Sequence, residues 1–425
     1  MQRRTFVLGS LATAGLVAAG VKPKDNGQAY DTYFGSLNTE LQQKGQFVPR
    51  ILVDLDKLDS NIQVLQQQLN AQTDLRIVAK SLPSPELLGY VMEQAQTNKL
   101  MVFHQPFLTD IAKRYPQSDL LLGKPMPVKA AERFYQLFTE SETDFRPEQQ
   151  LQWLIDTPER AEQYLALAKK VQRKLLLNLE LDVGLHRGGL NRLSQLDDIV
   201  SLIEQHPEYI ELSGFMGYDP HVVKLPSIVK SAEQAYLESQ AIYQTFIEHL
   251  YKRAPRYQQI DLTFNGAGSP TIAMHQVKTV CNELSAGSCL VKPSDFDIPS
   301  LSAFEPAAFI ASPILKKLKG TEIPALEFAK DMLPLWDPNL QHTYFIYGGK
   351  WMADFESPRG LQNNGLYGSS TNQQIVNGSK LTNLQVDDHI FLRPHQSEAV
   401  FLQFGQVTAI RQQTLLANWN ILSQV

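Results

Sequence analysis

The chain has 425 residues, 43% of them hydrophobic and 20% charged, with a formal net charge of -5. That length buries a large core, enough for one large domain and a second or for two or three ordinary ones. The negative balance, with no basic run and no zinc-finger spacing, excludes a nucleic-acid binder driven by bulk charge.

The N-terminus reads as a separate unit. Arg3-Arg4-Thr5-Phe6-Val7-Leu8 leads into an Ala/Gly-rich apolar stretch ending at Val17-Ala18-Ala19-Gly20, which has a charged start, a modest apolar run and small residues for cleavage. The paired arginines predict a twin-arginine signal over residues 1–20, export to the periplasm or beyond, and removal of the segment. It is short of the roughly 20 apolar residues of a membrane span, so no stable insertion is expected once it is cleaved. Cys281 and Cys289 flank a glycine-containing turn, and an oxidising compartment permits one disulfide there, although spacing alone does not show the geometry.

Short apolar runs then alternate with longer amphipathic segments. The runs are Ile51-Leu52-Val53-Asp54, Arg76-Ile77-Val78-Ala79, Leu100-Met101-Val102-Phe103, Leu120-Leu121-Leu122, Trp153-Leu154-Ile155-Asp156, Leu175-Leu176-Leu177-Asn178-Leu179, Leu212-Ser213-Gly214-Phe215-Met216 and Ile260-Asp261-Leu262-Thr263-Phe264. Helical periodicity lies between them, over residues 58–69, 86–96, 130–138, 158–171, 196–204 and 232–251. Such alternation predicts a parallel sheet covered on both faces. Eight units predict closure into a (β/α)8 TIM barrel over residues 48–300, with an open doubly wound sheet as the other solution. Past residue 300 the texture changes to strands at 308–311, 343–347, 389–392 and 399–402, with turns at Gly348-Gly349, Asn363-Asn364-Gly365 and Asn377-Gly378. Residues 301–425 are therefore expected to form a mostly β C-terminal domain.

The unusual polar residues follow strand C-termini, the face on which such barrels carry their active sites. Lys80 ends the second run, just before Ser81-Leu82-Pro83-Ser84-Pro85. A lysine at such a junction can be walled by its neighbours and serve as an amine nucleophile for carbonyl compounds, although most strand-end lysines are solvated surface charges. Asp182-Val183-Gly184-Leu185-His186-Arg187 follows the sixth run, Gly217-Tyr218-Asp219-Pro220-His221 the seventh, and Asn265-Gly266-Ala267-Gly268-Ser269-Pro270-Thr271 the eighth. The last can offer backbone N–H groups and hydroxyls to an anion. Alone it is a glycine-rich turn, Arg187 an ion-pair partner, and His186, Tyr218 and His221 packing residues. Together a lysine, an arginine and an anion loop on one face describe a site for pyridoxal 5'-phosphate.

Val48-Pro49-Arg50-Ile51-Leu52-Val53-Asp54-Leu55-Asp56-Lys57-Leu58-Asp59-Ser60-Asn61-Ile62, followed by Arg76-Ile77-Val78-Ala79-Lys80, resembles the opening of the alanine racemase-like enzymes of pyridoxal phosphate fold type III. Within that group it is similar to the D-threonine aldolase and D-serine dehydratase branch, over most of residues 48–410. The resemblance makes Lys80 the Schiff-base lysine and Arg187 the active-site arginine. It makes Tyr218, Asn265, Gly266, Gly268 and Ser269 cofactor-binding residues. Pro220 departs from the Gly-Tyr-x-Gly-His pattern of that branch. In Arg393-Pro394-His395-Gln396-Ser397-Glu398, His395 matches the histidine of a metal pair, while Ser397 takes the second ligand's place with a hydroxyl that is a poor ligand for zinc or manganese. Glu398 is adjacent, but on a strand successive side chains face opposite ways. His395 is thus expected either as a metal ligand or as a metal-free acid–base residue.

The resemblance implies a pyridoxal phosphate-dependent lyase that cleaves or dehydrates a small D-3-hydroxy amino acid, as a homodimer. An amino-acid racemase and a non-catalytic pyridoxal phosphate-binding protein are the other readings.

Overall fold

The computed structural model describes residues 22–138, 143–226 and 228–423. The expected export signal lies outside the described residues. Two compact units emerge. One holds Phe309–His395, Thr408–Ala417 and the described part of Met1–Leu52; the other holds Val53–Ala308, Gln396–Val407 and the described part of Asn418–Val425. Among the described residues no helix is long and apolar enough to cross a membrane.

In chain order the principal elements begin with helix α1 (Thr32–Gln43), strand β1 (Arg50–Asp54), α2 (Leu55–Gln67), β2 (Asp74–Val78), α3 (Pro85–Ala95), β3 (Lys99–Val102), α4 (Gln105–Arg114) and β4 (Asp119–Leu122). Next come α5 (Val128–Leu137), β5 (Leu151–Ile155), α6 (Pro158–Val171), β6 (Leu175–Glu180), α7 (Leu193–Gln205), β7 (Ile210–Gly217), α8 (Ala232–Arg253), β8 (Thr263–Gly266) and β9 (Glu283–Ala286). Strands β2 to β9 form a closed, all-parallel barrel, sealed by β9 against β2 with Asp74 opposite Glu283 and Ile77 opposite Ala286. The expected barrel is therefore present, with helices between its strands.

Local chemistry sets the helix starts. Ser84 and Thr157 each accept a hydrogen bond from an amide three residues on, at Leu87 and Arg160, with proline at the first helical position. Both devices stabilise a helix N-terminus, where four amides lack intrahelical partners. The pairing of β6 with β7 shifts register between Leu177 and Asn178, opposite Gly214. Gly214 has φ +148°, and a Cβ there would lie 1.8 Å from the carbonyl oxygen of Thr263 on β8. We expect Gly214→Ala to lower stability by about 2–4 kcal/mol through overpacking and backbone strain. A shifted urea midpoint would report it; an unchanged midpoint would contradict this account of the kink.

Ile51-Leu52-Val53-Asp54 is not a barrel strand, because β1 joins the sheet of the other unit. The eighth barrel strand is instead Glu283-Leu284-Ser285-Ala286, whose Glu283 and Ser285 are buried polar residues. Half its positions are polar because they serve a hydrogen-bonded network inside the barrel, so it lacks the apolar signature of its neighbours. Each site loop consequently follows a strand one place earlier in the barrel than the sequence suggests. The expected strand at 260–264 also moves to β8, so Asn265 and Gly266 are strand residues.

The second unit is built on a nine-stranded sheet. To β1 it adds β10 (Ala308–Lys319), β11 (His342–Tyr347), β12 (Ala353–Ser357), β13 (Gln362–Asn363), β14 (Gln373–Gly378), β15 (His389–Pro394), β16 (Gln406–Arg411) and β17 (Thr414–Asn420), and helix α9 (Ala329–Trp336) follows β10. The long β10 pairs β15 through its first half and β11 through its second. Phe34, Leu37 and Leu41 of α1 bury against Leu52, Phe309, Ala311, Phe391 and Ile410, which covers one face of the sheet. The expected turn at Asn377-Gly378 is the end of β14, and the expected strand at 399–402 falls in a short helix, α10 (Ser397–Phe401).

Candidate active site

β2 ends at Val78, a single 3-10 turn carries Ala79–Ser81, and Ser84 then starts α3. Lys80 is thus held at the C-terminal end of the first barrel strand. Its side chain is 38% exposed, with Nζ 4.6 Å from the Phe103 ring centroid and 3.0 Å from Glu398 Oε2.

A cavity of about 220 Å³ opens at this end of the barrel, and Lys80, Arg187, Tyr218, Asn265, Gly268 and Ser269 all line it, together with Phe103, Lys224, Gly287, Ser288 and Glu398. A wider hollow of about 660 Å³ lies at the opposite ends of the strands, lined among others by Asp74, Lys99, Asp119 and Gln152. Lys99 there is held by two carboxylates, Asp74 and Glu283, and is less exposed than Lys80, which meets one.

Arg187 is presented by the loop after β6. Asp182 braces that loop: Oδ1 accepts from the amides of Gly184 (3.1 Å) and His186 (2.9 Å), and Oδ2 meets His186 Nδ1 at 2.9 Å. Partial burial raises the Asp182 pKa, and these hydrogen bonds overcome it to leave the carboxyl below its usual value. His186 is therefore a brace, while Arg187 stacks its guanidinium 5.2 Å from the centre of Tyr218. Burial pushes the Tyr218 phenol up, which Arg187 opposes and Asp219 and Glu398 reinforce.

The anion loop leaves β8 through Ala267, which has φ +63°. A Cβ on Gly268 would lie 2.6 Å from Tyr218 Cε2, so this backbone approaches the ring as only glycine can. Ser269 Oγ accepts from the amides of Gly287 (3.2 Å) and Cys289 (3.1 Å), tying together the loops after the seventh and eighth strands. Ser288 Oγ lies 2.9 Å from Ser81 Oγ, beside Lys80. Behind the loop, Thr271 Oγ1 accepts from the Gly268 amide and donates to Asp219 Oδ1 (2.6 Å), and Asp219 Oδ2 meets His275 Nε2 at 2.9 Å. Asp219 and His275 are buried, and they hold the loop from beneath.

Asn265 faces the cavity and is anchored inside the barrel, donating from Nδ2 to Glu283 Oε1 and Ser285 Oγ, both at 2.8 Å. Glu283 in turn accepts from the fully buried Arg76 at 2.5 and 2.8 Å, and Arg76 reaches Asp119 Oδ1 at 2.9 Å. Gly266 does not line the cavity; a Cβ there would lie 2.5 Å from Cys281 Sγ. Cys281 and Cys289 are both buried free thiols, not a disulfide, and burial pushes Cys289 up to about 12.

Two expected residues remain, His221 and His395. His221 follows Pro220 in a 3-10 turn, Pro220–Val223, with Nε2 3.3 Å from Ser239 Oγ and its pKa lowered by burial. His395 belongs to the β unit, where Nε2 meets Asp354 Oδ1 at 3.0 Å and the amide donates to Met352 O. Among the described residues no three His, Cys, Asp or Glu side chains are grouped as a metal site. Ser397, in the place expected for a second ligand, is buried at 2% exposure, its Oγ unpartnered among the described residues. The strand-based reading of Glu398 is corrected. It lies on α10, in the barrel unit, and its carboxylate reaches Lys80. Acidic residues favour a helix's first turn, a signal present in Ser397-Glu398-Ala399 that the apolar Ala399-Val400-Phe401-Leu402 obscured.

Chemically, the cavity combines an amine for a carbonyl, serine hydroxyls on two glycine-containing loops for an anion, and a guanidinium for a carboxylate. A family model described as "Alanine racemase, N-terminal domain" matches residues 53–295, more than half of the chain. No curated protein matches at a significant level. Among solved structures, the D-threonine aldolase of Filomicrobium marinum is similar with TM-score 0.65 and 15% identity, covering 88% of this chain and 96% of its own. The D-threo-3-hydroxyaspartate dehydratase of Delftia sp. HT23 is similar with TM-score 0.62 and 16% identity, covering 89% and 98%. The alanine racemase of Clostridium difficile 630 in complex with cycloserine has TM-score 0.65 and 14% identity, covering 88% and 98%. At such identities these structures show the shared fold.

Proposed function

The chain belongs to the alanine racemase N-terminal domain family, of pyridoxal phosphate fold type III, and from that membership we propose that it is a pyridoxal phosphate-dependent lyase acting on a small D-3-hydroxy amino acid. One observation carries the proposal: the Lys80 amine opens into the same cavity as the Arg187 guanidinium and the Gly268-Ser269 loop. The residues fit the cofactor. Lys80 would hold its aldehyde carbon, and the loops that carry Gly268-Ser269 and Gly287-Ser288 into the cavity would face its phosphate with their serine hydroxyls. When bound, the cofactor supplies an electron sink for the pair released at Cα.

The protein's own groups do the rest. Arg187 orients the substrate carboxylate by charge-assisted hydrogen bonding. Lys80, once displaced by the substrate amine, takes or returns the Cα proton. Asn265, fixed by Glu283 and Ser285, presents a polar group to the cavity without rotating. Racemisation needs a second acid–base group across the cavity from Lys80. Export through residues 1–20 and a homodimer belong to the same proposal.

Purified protein loaded with pyridoxal phosphate should convert a D-3-hydroxy amino acid to a 2-oxo acid or an aldehyde while leaving the L-enantiomer unchanged. Measuring oxo acid, aldehyde and enantiomer separately over a D and L panel tests this. Interconversion of enantiomers alone would establish a racemase, and full cofactor loading with no reaction would establish a binding protein.

A further inference from the structure

Among the described residues lining the cavity, the charged side chains are Lys80, Arg187 and Lys224 on one side of the balance and a single carboxylate, Glu398, on the other. That carboxylate is aimed. Its Oε2 lies 3.0 Å and its Oε1 3.4 Å from Lys80 Nζ. The chain entering α10 is fastened to the barrel where Gln396 Nε2 donates to Asp295 Oδ2 at 3.0 Å. Both members of the pair are about one-third exposed, and ion pairs so open to water contribute little to folding. The arrangement therefore calls for a role other than stability.

We propose that Glu398 is the acid–base residue for the substrate's 3-oxygen, working in proton contact with Lys80. This rests on the reading above and deepens it by naming the group that handles the hydroxyl. A 3-hydroxy amino acid must exchange protons at Cα and at an oxygen one carbon away, and the Lys80–Glu398 pair offers two proton carriers 3.0 Å apart in the cavity where that substrate reacts. In dehydration, Lys80 takes the Cα proton and hands one proton to Glu398. The Cα–H electron pair becomes the Cα=Cβ bond, the C–O bond breaks with its pair on oxygen, and the Glu398 proton completes a water molecule. The unsaturated amine then hydrolyses to a 2-oxo acid and ammonia. In aldol cleavage the same relay runs backwards. Glu398 accepts the 3-hydroxyl proton, the O–H pair becomes the C=O bond of the departing aldehyde, the Cα–Cβ pair remains on Cα, and Lys80 returns a proton there. Neither direction needs an added oxidant or reductant.

The test compares wild type with Glu398→Gln and Glu398→Ala, each loaded with pyridoxal phosphate. Visible absorbance of the bound cofactor gives loading, and circular dichroism gives folding. Two rates are then read: product formation from the active D-3-hydroxy amino acid, and exchange of the Cα hydrogen of D-alanine into deuterated water. With a 3-hydroxyl, loss of a general acid–base should cost about 10²–10⁴-fold. Without one, Glu398 has no oxygen to serve, and exchange should fall by less than about tenfold (under about 1.4 kcal/mol of activation free energy). Equal losses in both rates, or no loss in the first, in a folded and loaded variant would overturn the assignment of Glu398 while leaving the lyase standing. Wild-type protein that takes up no cofactor, or takes it up and turns over no 3-hydroxy amino acid, would overturn both.

Discussion

Lys80→Ala is expected to leave a folded protein that takes up no visible colour from pyridoxal phosphate and whose turnover falls by on the order of 10⁴-fold or more, since in the proposed mechanism it loses both the covalent anchor and the Cα base. Lys80 is part-exposed at a strand end, so its removal leaves no cavity in the core. The partner most affected is Glu398, which loses the cation it pairs with yet stays accessible to water. Absorbance of the variant after incubation and gel filtration reads the loss. Retained colour at the wild-type level would move the reactive amine elsewhere, and within the cavity lining the other lysine is Lys224.

The second large effect concerns the interior of the barrel. Glu283→Gln should cost about 3–5 kcal/mol, because Arg76 is fully buried and would keep its charge while losing its main counter-ion. Burial pushes the Glu283 carboxyl up, but the charge and hydrogen bonds of Arg76, with help from Lys99 and Asn265, outweigh it and hold the group below its ordinary value. The sign follows from linkage. A folded-state pKa below the unfolded Glu value of about 4.3 means that this stabilisation is complete above that value and is lost as pH falls through the folded pKa. The stability difference between wild type and variant should therefore be widest near neutrality and shrink in acid. Chemical denaturation at several pH values measures it; a difference that widened in acid would contradict the assignment. Because Asn265 hangs on Glu283, the same variant should also bind the cofactor less tightly.

Much of this architecture was legible in the amino-acid sequence, and for identifiable reasons. Leu120-Leu121-Leu122 and Leu175-Leu176-Leu177 are strands buried on both faces, so their composition alone marks them. Ser84-Pro85 and Thr157-Pro158 mark helix starts by capping chemistry. Lys80 stood out because it closes such a run just before such a start. What stayed hidden depends on distant partners. β1 is as apolar as a barrel strand, and only its pairing in the nine-stranded sheet assigns it. β9 was missed because Glu283 and Ser285 turn inward to meet Arg76 and Asn265, which removes its apolar pattern. The helix at Ser397–Phe401 read as a strand because five residues with Ala, Val and Phe carry no decisive period. That misreading concealed the carboxylate nearest to Lys80.

Several site contacts are likewise products of the fold rather than of any motif. Ser269 bridges to Gly287 and Cys289 across neighbouring loops, a pairing of residues 18 and 20 positions apart that local pattern does not express. Asp219 and His275 meet 56 positions apart beneath the anion loop. Such residues gain their roles from strand order, which becomes visible only once the barrel is closed.

The central claim is that Lys80 carries pyridoxal phosphate. Incubating the wild-type protein with the cofactor, reducing it with borohydride and mapping the proteolytic peptides by mass spectrometry tests this in one measurement. A pyridoxyl group on the peptide containing Lys80, in near-stoichiometric yield, is the predicted result. No adduct, or one distributed over surface lysines with Lys80 unmodified, would contradict the account.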